Sequence, residues 1–282
     1  MTMRRMPPLH LFDTYLHRWN AQVAGSPFAT HTSDLLPVTL TGTWADCPAM
    51  IKIARDLDEQ IGGQVLQWWG GHGAAHVYAY DPDTGALLME RATGSRHLLR
   101  MALADEDDAA TRFICHTIRQ LHSKRSSAPP EKLRSLTHFF KSLAPMAQKQ
   151  GGLMAECASV ARALLSEQRE QVVLHGDAHH SNILDFNQRG WLAIDPKRVT
   201  GERYYDYVNV LCNPDLKTCT DPERFRRQLA LVVTLTGLDR QRLLKWVMAQ
   251  AALSAAWFLE DEAVTKANEQ LALAHLAREA MD

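Results

Sequence analysis

Nothing in this 282-residue chain has the spacing of a disulfide framework: its five cysteines, Cys47, Cys115, Cys157, Cys212 and Cys219, are scattered, odd in number and free of any CxxC pair. Such a set reads as reduced thiols, mostly filling the core of a cytoplasmic protein. A charge excess of one sign is also lacking, with 31 Lys and Arg against 32 Asp and Glu and a net charge of −1. That removes the basic field which a nucleic-acid or acidic-membrane partner requires. No apolar run approaches membrane-spanning length, and the opening MPPLHLF is too short and too proline-broken for a signal-peptide core. No internal repeat or low-complexity tract occurs. What is present is a hydrophobic content of 46%, enough for a sizeable core in one large domain or two lobes.

The most informative stretch is Val172–Lys197, VVLHGDAHHSNILDFNQRGWLAIDPK. The apolar run Val172–Leu174 feeds a polar loop, His175–Asn182. Ile183-Leu184 and Trp191–Ile194 then read as two strands of a hairpin around the Asp/Asn/Gly-rich turn 185–190. Asp177, Asn182 and Asp195 are thereby carried on a loop and a strand end set by local pairing. Phosphoryl transfer needs such a set: a carboxylate to orient and accept the proton of an attacking hydroxyl, and oxygen ligands to hold Mg²⁺ against phosphates. The same stretch admits a rival, because His175, Asp177, His179, His180 and Asp195 form a His/Asp set of the type that binds zinc or two metals in hydrolases. Asn182 and the two carboxylates, by contrast, are hard oxygen donors suited to Mg²⁺. For His175 and His180 the expectation is structural, with imidazole hydrogen-bonded to backbone and bracing the loop.

The interval from Asp177 to Asn182 is that of the kinase catalytic loop, where the Asp is the base, the Asn binds one Mg²⁺ and a further Asp one hairpin later binds the metals. His-Gly-Asp-x-His-x-x-Asn followed by Ile-Asp-Pro resembles the antibiotic-kinase branch of the protein-kinase-like fold. Within it, IDPKRVTGERYYDYVNVLCNP (Ile194–Pro214) is similar to the aminoglycoside/hydroxyurea phosphotransferases, which include the streptomycin 6-phosphotransferases. The resemblance covers most of the chain, strongest over Val172–Pro214 and weakest before Lys52. It implies an α+β, bilobal protein-kinase-like fold: a small N-lobe over residues 1–93 with an antiparallel sheet and one helix, and a larger, mostly helical C-lobe over 94–282 carrying the catalytic hairpin. It further implies ATP and Mg²⁺ as cofactors and a small-molecule acceptor with a hydroxyl group, streptomycin foremost. Asp177 would then be the base, Asn182 and Asp195 the metal ligands, and Asp206 the acid that ties down the catalytic-loop backbone from the start of a helix.

Ahead of that stretch, Leu11–Val23 is expected as an opening helix with Leu11, Tyr15 and Trp19 on one stripe. Leu35–Thr41 and Ala49–Ala54 read as strands around a Gly42–Pro48 turn. Residues 56–69 read as an amphipathic helix with Leu57, Ile61, Val65 and Trp68 on one face, and Ala74–Tyr80 with Ala86–Glu90 as a hairpin. That order resembles a kinase N-lobe, with Lys52 as the strand lysine that steadies nucleotide phosphates as a point charge. Two features depart from the pattern. No GxGxxG loop precedes Lys52, so phosphate cover is left to the backbone or hydroxyls of the Gly42–Pro48 turn, or is partial. The partner of Lys52 is open between Glu59, the nearest acid, and Gln64, which aligns better but cannot neutralise an ammonium. Gly62-Gly63 cost this helix about 1 kcal/mol each relative to alanine and are expected to leave it mobile until nucleotide binds. Met89–Gly94 resembles the hinge between lobes, where the backbone of Glu90 and Ala92 would hydrogen-bond adenine.

In the second lobe, helices are expected over Asp105–His122, Leu133–Lys149, Leu153–Gln168, Gly201–Leu211 and Arg240–Leu259, the last apolar nearly all round and therefore buried. Asp221-Pro222 opens another, and Asp239 caps the next. A polycationic acceptor needs carboxylates around it. Glu260, Asp261 and Glu262, directly after the buried helix, are candidates, together with Glu202 and Asp215 nearer the catalytic stretch. Beside the aminoglycoside kinase stand a metabolite kinase acting on a sugar or amino alcohol, a catalytically silent nucleotide-binding protein, and the His/Asp-site hydrolase.

Overall fold

A computed structural model describes residues 6–42 and 46–281. Thr43, Trp44 and Ala45, in the turn expected to cover phosphate, lie outside the described residues. Contacts divide the chain into two compact units, each discontinuous: Met1–Arg96, Ser123–Leu133 and Asn182–Arg198 form one, and His97–His122, Arg134–Ser181 and Val199–Asp282 the other.

The first unit begins with a 3-10 turn (Leu9–Phe12), α1 (Asp13–Arg18) and β1 (Ala21–Val23). The helix expected to continue to Val23 is therefore cut short: Asn20 adopts a left-handed φ of 48° and β1 turns away to pair with a strand. The residues it buries are Phe12 and Tyr15, while Leu11 stays exposed. Then come β2 (Phe28–Ala29), β3 (Ser33–Leu40), β4 (Pro48–Ala54), α2 (Leu57–Trp69), β5 (Val77–Tyr80) and β6 (Leu87–Glu90). They form an antiparallel sheet in the order β1-β3-β4-β6-β5, with β2 also on β3. Alternation in β3 buries Leu36, Val38 and Leu40 on one face, where they meet Phe12, Tyr15, Ala49, Ile51 and Leu88. Each leucine, valine, isoleucine or phenylalanine side chain taken from water contributes about 1.5–3 kcal/mol. Lys52, next to Ile51 in β4, must project from the opposite face.

Local chemistry sets both ends of α2. The Asp56 carboxylate accepts from the Glu59 N–H at 2.9 Å, and Gly70, at φ 60°, ends the helix in the left-handed conformation. Its buried stripe is Ile61, Val65, Leu66 and Trp69. Leu57 is exposed, and Trp68 stacks under the Arg125 guanidinium at 4.9 Å. The two central glycines have a packing reason. A Cβ on Gly62 would run into the Pro196 carbonyl oxygen, and one on Gly63 would lie 2.7 Å from Leu87 Cδ2. Both are buried within the unit, so close approach is what the lost helix propensity allows.

The second unit opens with α3 (Leu98–Ala102), a helix not expected from the sequence, and α4 (Asp107–Leu121). The single helix expected over Leu133–Lys149 is three pieces, β7 (Arg134–Ser135), α5 (Leu136–Phe139) and α6 (Leu143–Gln150). Ser135 caps α5 by accepting from the His138 N–H at 3.2 Å. After α7 (Gly152–Ser166) and β8 (Gln171–Leu174), the chain passes through β9 (Ile183–Asp185) and β10 (Trp191–Ala193) of the first unit and returns as β11 (Val199–Glu202). The stretch Gly201–Leu211, read as helix throughout, thus starts as strand. β11 pairs antiparallel with β8 and parallel with β7, and the helix proper is α8 (Tyr204–Leu211). Then follow α9 (Leu216–Cys219), α10 (Pro222–Thr236), α11 (Arg240–Glu260) and α12 (Val264–Glu279). Asp221 and Asp239 cap α10 and α11, accepting from the Arg224 and Arg242 N–H at 2.7 Å each. α11 is buried on nearly every side because α12, α7, α8 and α6 pack around it. The five cysteines are free, and no helix among the described residues is long and apolar enough to cross a membrane.

Candidate active site

In the first unit the hairpin that ends at Asp195 pairs in register, Ile183 with Ala193, Leu184 with Leu192 and Asp185 with Trp191. Its second strand is pinned by Ala193, which donates to the Gly73 carbonyl and accepts from the Ala75 N–H, both at 2.9 Å. The Ile194 N–H donates to the Asn182 carbonyl at 2.9 Å. The residue before Asp195 is thereby bonded to Asn182, and the two oxygen-bearing side chains are carried on adjacent backbone. Asp195 itself has a φ of 54°.

Lys52 meets this turn. Its ammonium lies 2.7 Å from Asp195 Oδ1 and 2.6 Å from Glu59 Oε2, and the residue is 5% exposed. Burial alone pushes the ammonium pKa down, but Asp195 and Glu59 more than offset it and hold it above the ordinary lysine value. Glu59, not Gln64, is therefore the partner of Lys52: Gln64 donates to the Tyr80 hydroxyl at 3.1 Å instead. The helical phase from Asp56 decides this, since Glu59 in the first turn faces β4 while Gln64 faces β5.

The second unit holds the first seven residues of the polar loop His175–Asn182. Gly176, at φ 76°, lets the backbone turn so that the His175 and Gly176 N–H groups both donate to the Asp206 carboxylate at 2.8 Å. His122 Nε2 bonds the same carboxylate at 2.8 Å. Asp206 is fully buried. Burial pushes its pKa up, yet His122, His175 and the Gly176 N–H together hold it below the usual carboxylate value. His175 accepts from the Asp177 N–H on Nδ1 at 3.2 Å, and His179 does the same for the Ser181 N–H at 3.1 Å, with Nε2 3.6 Å from Asp177 Oδ1. His180 departs from the expected brace. It is buried, and neither ring nitrogen has a hydrogen-bond partner. Burial, with Arg224 and His179 adding to it, pushes its pKa down to about 4, so the ring is neutral. Among the described residues no three His, Cys, Asp or Glu side chains group as a metal-binding set, and the His/Asp cluster of a hydrolase does not assemble.

Asp195 and Asn182 fit a hard divalent cation. Both offer oxygen, both sit on backbone fixed by the hairpin, and the Asp195 carboxylate, with Oδ1 bonded to Lys52, is one-third open at 34% side-chain exposure.

A profile of the aminoglycoside/hydroxyurea antibiotic resistance kinases matches residues 18–262. The chain belongs to this family. The kinase is 45% identical over 251 residues to a streptomycin 3''-kinase of Klebsiella pneumoniae, covering 87% of this chain and 91% of that one. It is 29% identical over 267 residues to a streptomycin 6-kinase of Streptomyces glaucescens, covering 89% and 83%. The resemblance to 6-phosphotransferases therefore holds at family level, alongside a higher identity to a 3''-kinase. Among solved structures, an ethanolamine kinase of Plasmodium vivax superposes with a TM-score of 0.65 at 11% identity, covering 97% of this chain and 90% of that one. At that identity the likeness speaks for the fold alone, which is the bilobal protein-kinase-like fold. As a member of its family, the resistance kinase is a small-molecule phosphotransferase acting on hydroxyl groups.

The kinase's remaining expected site residues divide sharply. Glu202 is not an acceptor contact. It is fully buried, and its carboxylate accepts from Arg242 Nε and Nη2 at 2.6 Å, Trp246 Nε1 at 2.9 Å and the Arg169 N–H at 2.9 Å, which leaves no face for a substrate. Asp215 is exposed but caps α9, accepting from the Thr218 N–H at 2.9 Å and its hydroxyl at 3.0 Å. Glu260, Asp261 and Glu262 are exposed at the C-terminal end of α11, where a helix dipole disfavours negative charge. Glu90 bonds through its side chain to Arg189 and the His76 N–H, and its own N–H donates to the His76 carbonyl at 2.8 Å. Ala92 is half-buried just beyond β6. Sequence reasoning missed His122, which grips Asp206 from 84 residues away and leaves no local signal.

Proposed function

We propose that the kinase transfers the γ-phosphoryl group of ATP to the 3''-hydroxyl of streptomycin, in the cytoplasm. The observation that carries the acceptor is the 45% identity to a streptomycin 3''-kinase over nearly its whole length. The ion triad Lys52–Glu59–Asp195 supports the nucleotide end, and five free thiols agree with a reducing compartment.

In this reading Asp177 orients the acceptor hydroxyl and takes its proton as the oxygen attacks phosphorus and the bond to ADP breaks. Two backbone donors into Asp206 and one into His175 hold the loop that carries it. Lys52 neutralises phosphate oxygens. Asn182 and Asp195 would hold Mg²⁺, which would supply charge neutralisation at the phosphates. The base of ATP bonds the carbonyl of Glu90, whose N–H is already used, and the backbone of Ala92. Glu260, Asp261 and Glu262 supply negative charge for a polycationic acceptor, which explains three acids at a helix end that repels them.

The test is ADP release from ATP with streptomycin, other aminoglycosides, hydroxyurea and ethanolamine, with the product mapped by ³¹P–¹H NMR. Phosphate on the 3''-oxygen is the expected result, and transfer to another acceptor with none to streptomycin overturns it. Asp177→Ala is expected to abolish transfer while nucleotide affinity stays within about twofold, because its work is at the acceptor. Neutralising Glu260, Asp261 and Glu262 together is expected to raise the streptomycin KM and leave the ATP KM alone.

A further inference from the structure

Directly after Asp195 the chain is gripped by the first half of α2 through three contacts that the roles above leave unused. Pro196 lays its carbonyl oxygen against Gly62, in space that any side chain would fill. Lys197 Nζ lies 3.5 Å from Glu59 Oε1, the oxygen opposite the one that Lys52 holds. Arg198 pairs with Asp58 in the first turn of α2, and its Nη1 donates to the Lys132 carbonyl at 3.4 Å. Between these contacts and the hairpin sits Asp195, a non-glycine residue at φ 54°. Such a conformation costs on the order of 1 kcal/mol or more and persists only where its surroundings over-determine it.

We propose that Lys197 and Arg198 are positioning residues for the Asp195 carboxylate: by gripping Glu59 and Asp58 they seat Pro196 on Gly62 and hold Asp195 in the left-handed conformation that presents it to Mg²⁺. The inference rests on the reading of Asp195 as a metal ligand. Its physical logic is one of counter-ions. Glu59 is almost wholly buried, with a 7% exposed side chain, and a buried carboxylate that loses its cation is strongly destabilised. When nucleotide phosphates draw on the Lys52 ammonium, Lys197 keeps Glu59 compensated. The N-terminal half of α2, Glu59 included, therefore stays locked to the Asp195 turn instead of being released by the ligand.

The experiment is calorimetry of ADP binding at graded free Mg²⁺ and in EDTA, without turnover, on wild type, Lys197→Met, Lys197→Arg, Asp58→Asn and Asp195→Asn. Lys197 and Asp58 have side chains 36% and 50% exposed, so their substitutions leave the core intact. Loss of residues that orient a metal ligand typically weakens metal binding by about tenfold or more. Lys197→Met and Asp58→Asn are expected to raise the Mg²⁺ concentration for half-maximal ADP affinity by roughly that factor, with metal-free ADP affinity unchanged and Lys197→Arg restoring wild-type behaviour. A fall in metal-free ADP affinity in Lys197→Met alone would make Lys197 a direct phosphate contact and overturn the positioning role. Wild-type Mg²⁺ dependence in both Lys197→Met and Asp58→Asn, with Asp195→Asn impaired, overturns the latch but spares the metal site. Unchanged Mg²⁺ dependence in Asp195→Asn overturns the underlying reading instead.

Discussion

Lys52 and Asp195, 143 positions apart in sequence, are joined by a 2.7 Å ion contact. The carboxylate assigned to the metal is thus held by the ammonium assigned to the phosphates, and the two charges stay compensated before either ligand arrives. With Glu59 on the other side at 2.6 Å, removing Lys52 takes away the ammonium that both carboxylates share and leaves Glu59 to the longer 3.5 Å contact with Lys197.

We therefore expect Lys52→Met to lose transfer and also stability, by about 3 kcal/mol, as breaking a buried pair does. Lys52→Met combined with Glu59→Gln is expected to recover most of the stability and none of the activity. Urea denaturation beside ADP-release rates separates the two losses, and a double variant no more stable than the single one would argue against the pairing.

The glycine pair in α2 gives an expectation opposite in sign to helix propensity. Alanine is favoured over glycine by about 1 kcal/mol in a helix, yet Gly62→Ala should destabilise, because the obstacle is the Pro196 backbone oxygen. Gly63→Ala should be milder, since it meets the far end of Leu87 at 2.7 Å, which can swing aside. Denaturation midpoints in the order wild type, Gly63→Ala, Gly62→Ala check this.

Asp206 makes stability acid-sensitive in a defined direction. Its folded pKa lies below the ordinary value, so the folded state binds fewer protons than the unfolded chain. Its contribution is complete above the unfolded pKa of about 3.9 and is lost as pH falls through the folded value. Asp206→Asn lacks that dependence. The stability gap between wild type and this variant should be constant from pH 7 to 5 and narrow below pH 4, as followed by urea midpoints.

Glu202 and Arg242 form a buried pair at 2.6 Å. Glu202→Gln, which leaves the Arg242 charge without its carboxylate, is expected to cost about 3–5 kcal/mol. The folded fraction should keep the acceptor KM of wild type. A raised KM with unchanged stability would return Glu202 to the acceptor site.

Much of the fold was legible because it is written in short-range chemistry. The strands β3 and β4, the amphipathic helix after Asp56, the Asp221 and Asp239 caps and the hairpin around 185–190 depend on neighbours a few residues apart, and they form where expected. The misreadings share one cause. Residues 21–23, 134–135 and 199–202 look helical or irregular by themselves, and become strands because a distant segment offers hydrogen bonds. Glu202 looked like a surface acid near the catalytic stretch. Burial came from α11, 40 residues on.

The sequence by itself determined the chemistry on offer: a carboxylate, an amide and a second carboxylate at kinase intervals, a strand lysine, and the residues that nucleate the loop and hairpin bearing them. Only the tertiary structure decided which charges compensate one another. Glu59 was chosen over Gln64, Glu202 was spent on Arg242, His122 was brought to Asp206, and Gly62 was given a backbone oxygen to fit. Local sequence sets dihedrals and turns over a few residues, whereas the pairing of buried charges depends on contacts between segments far apart in the chain, which exist only once the core has closed around them.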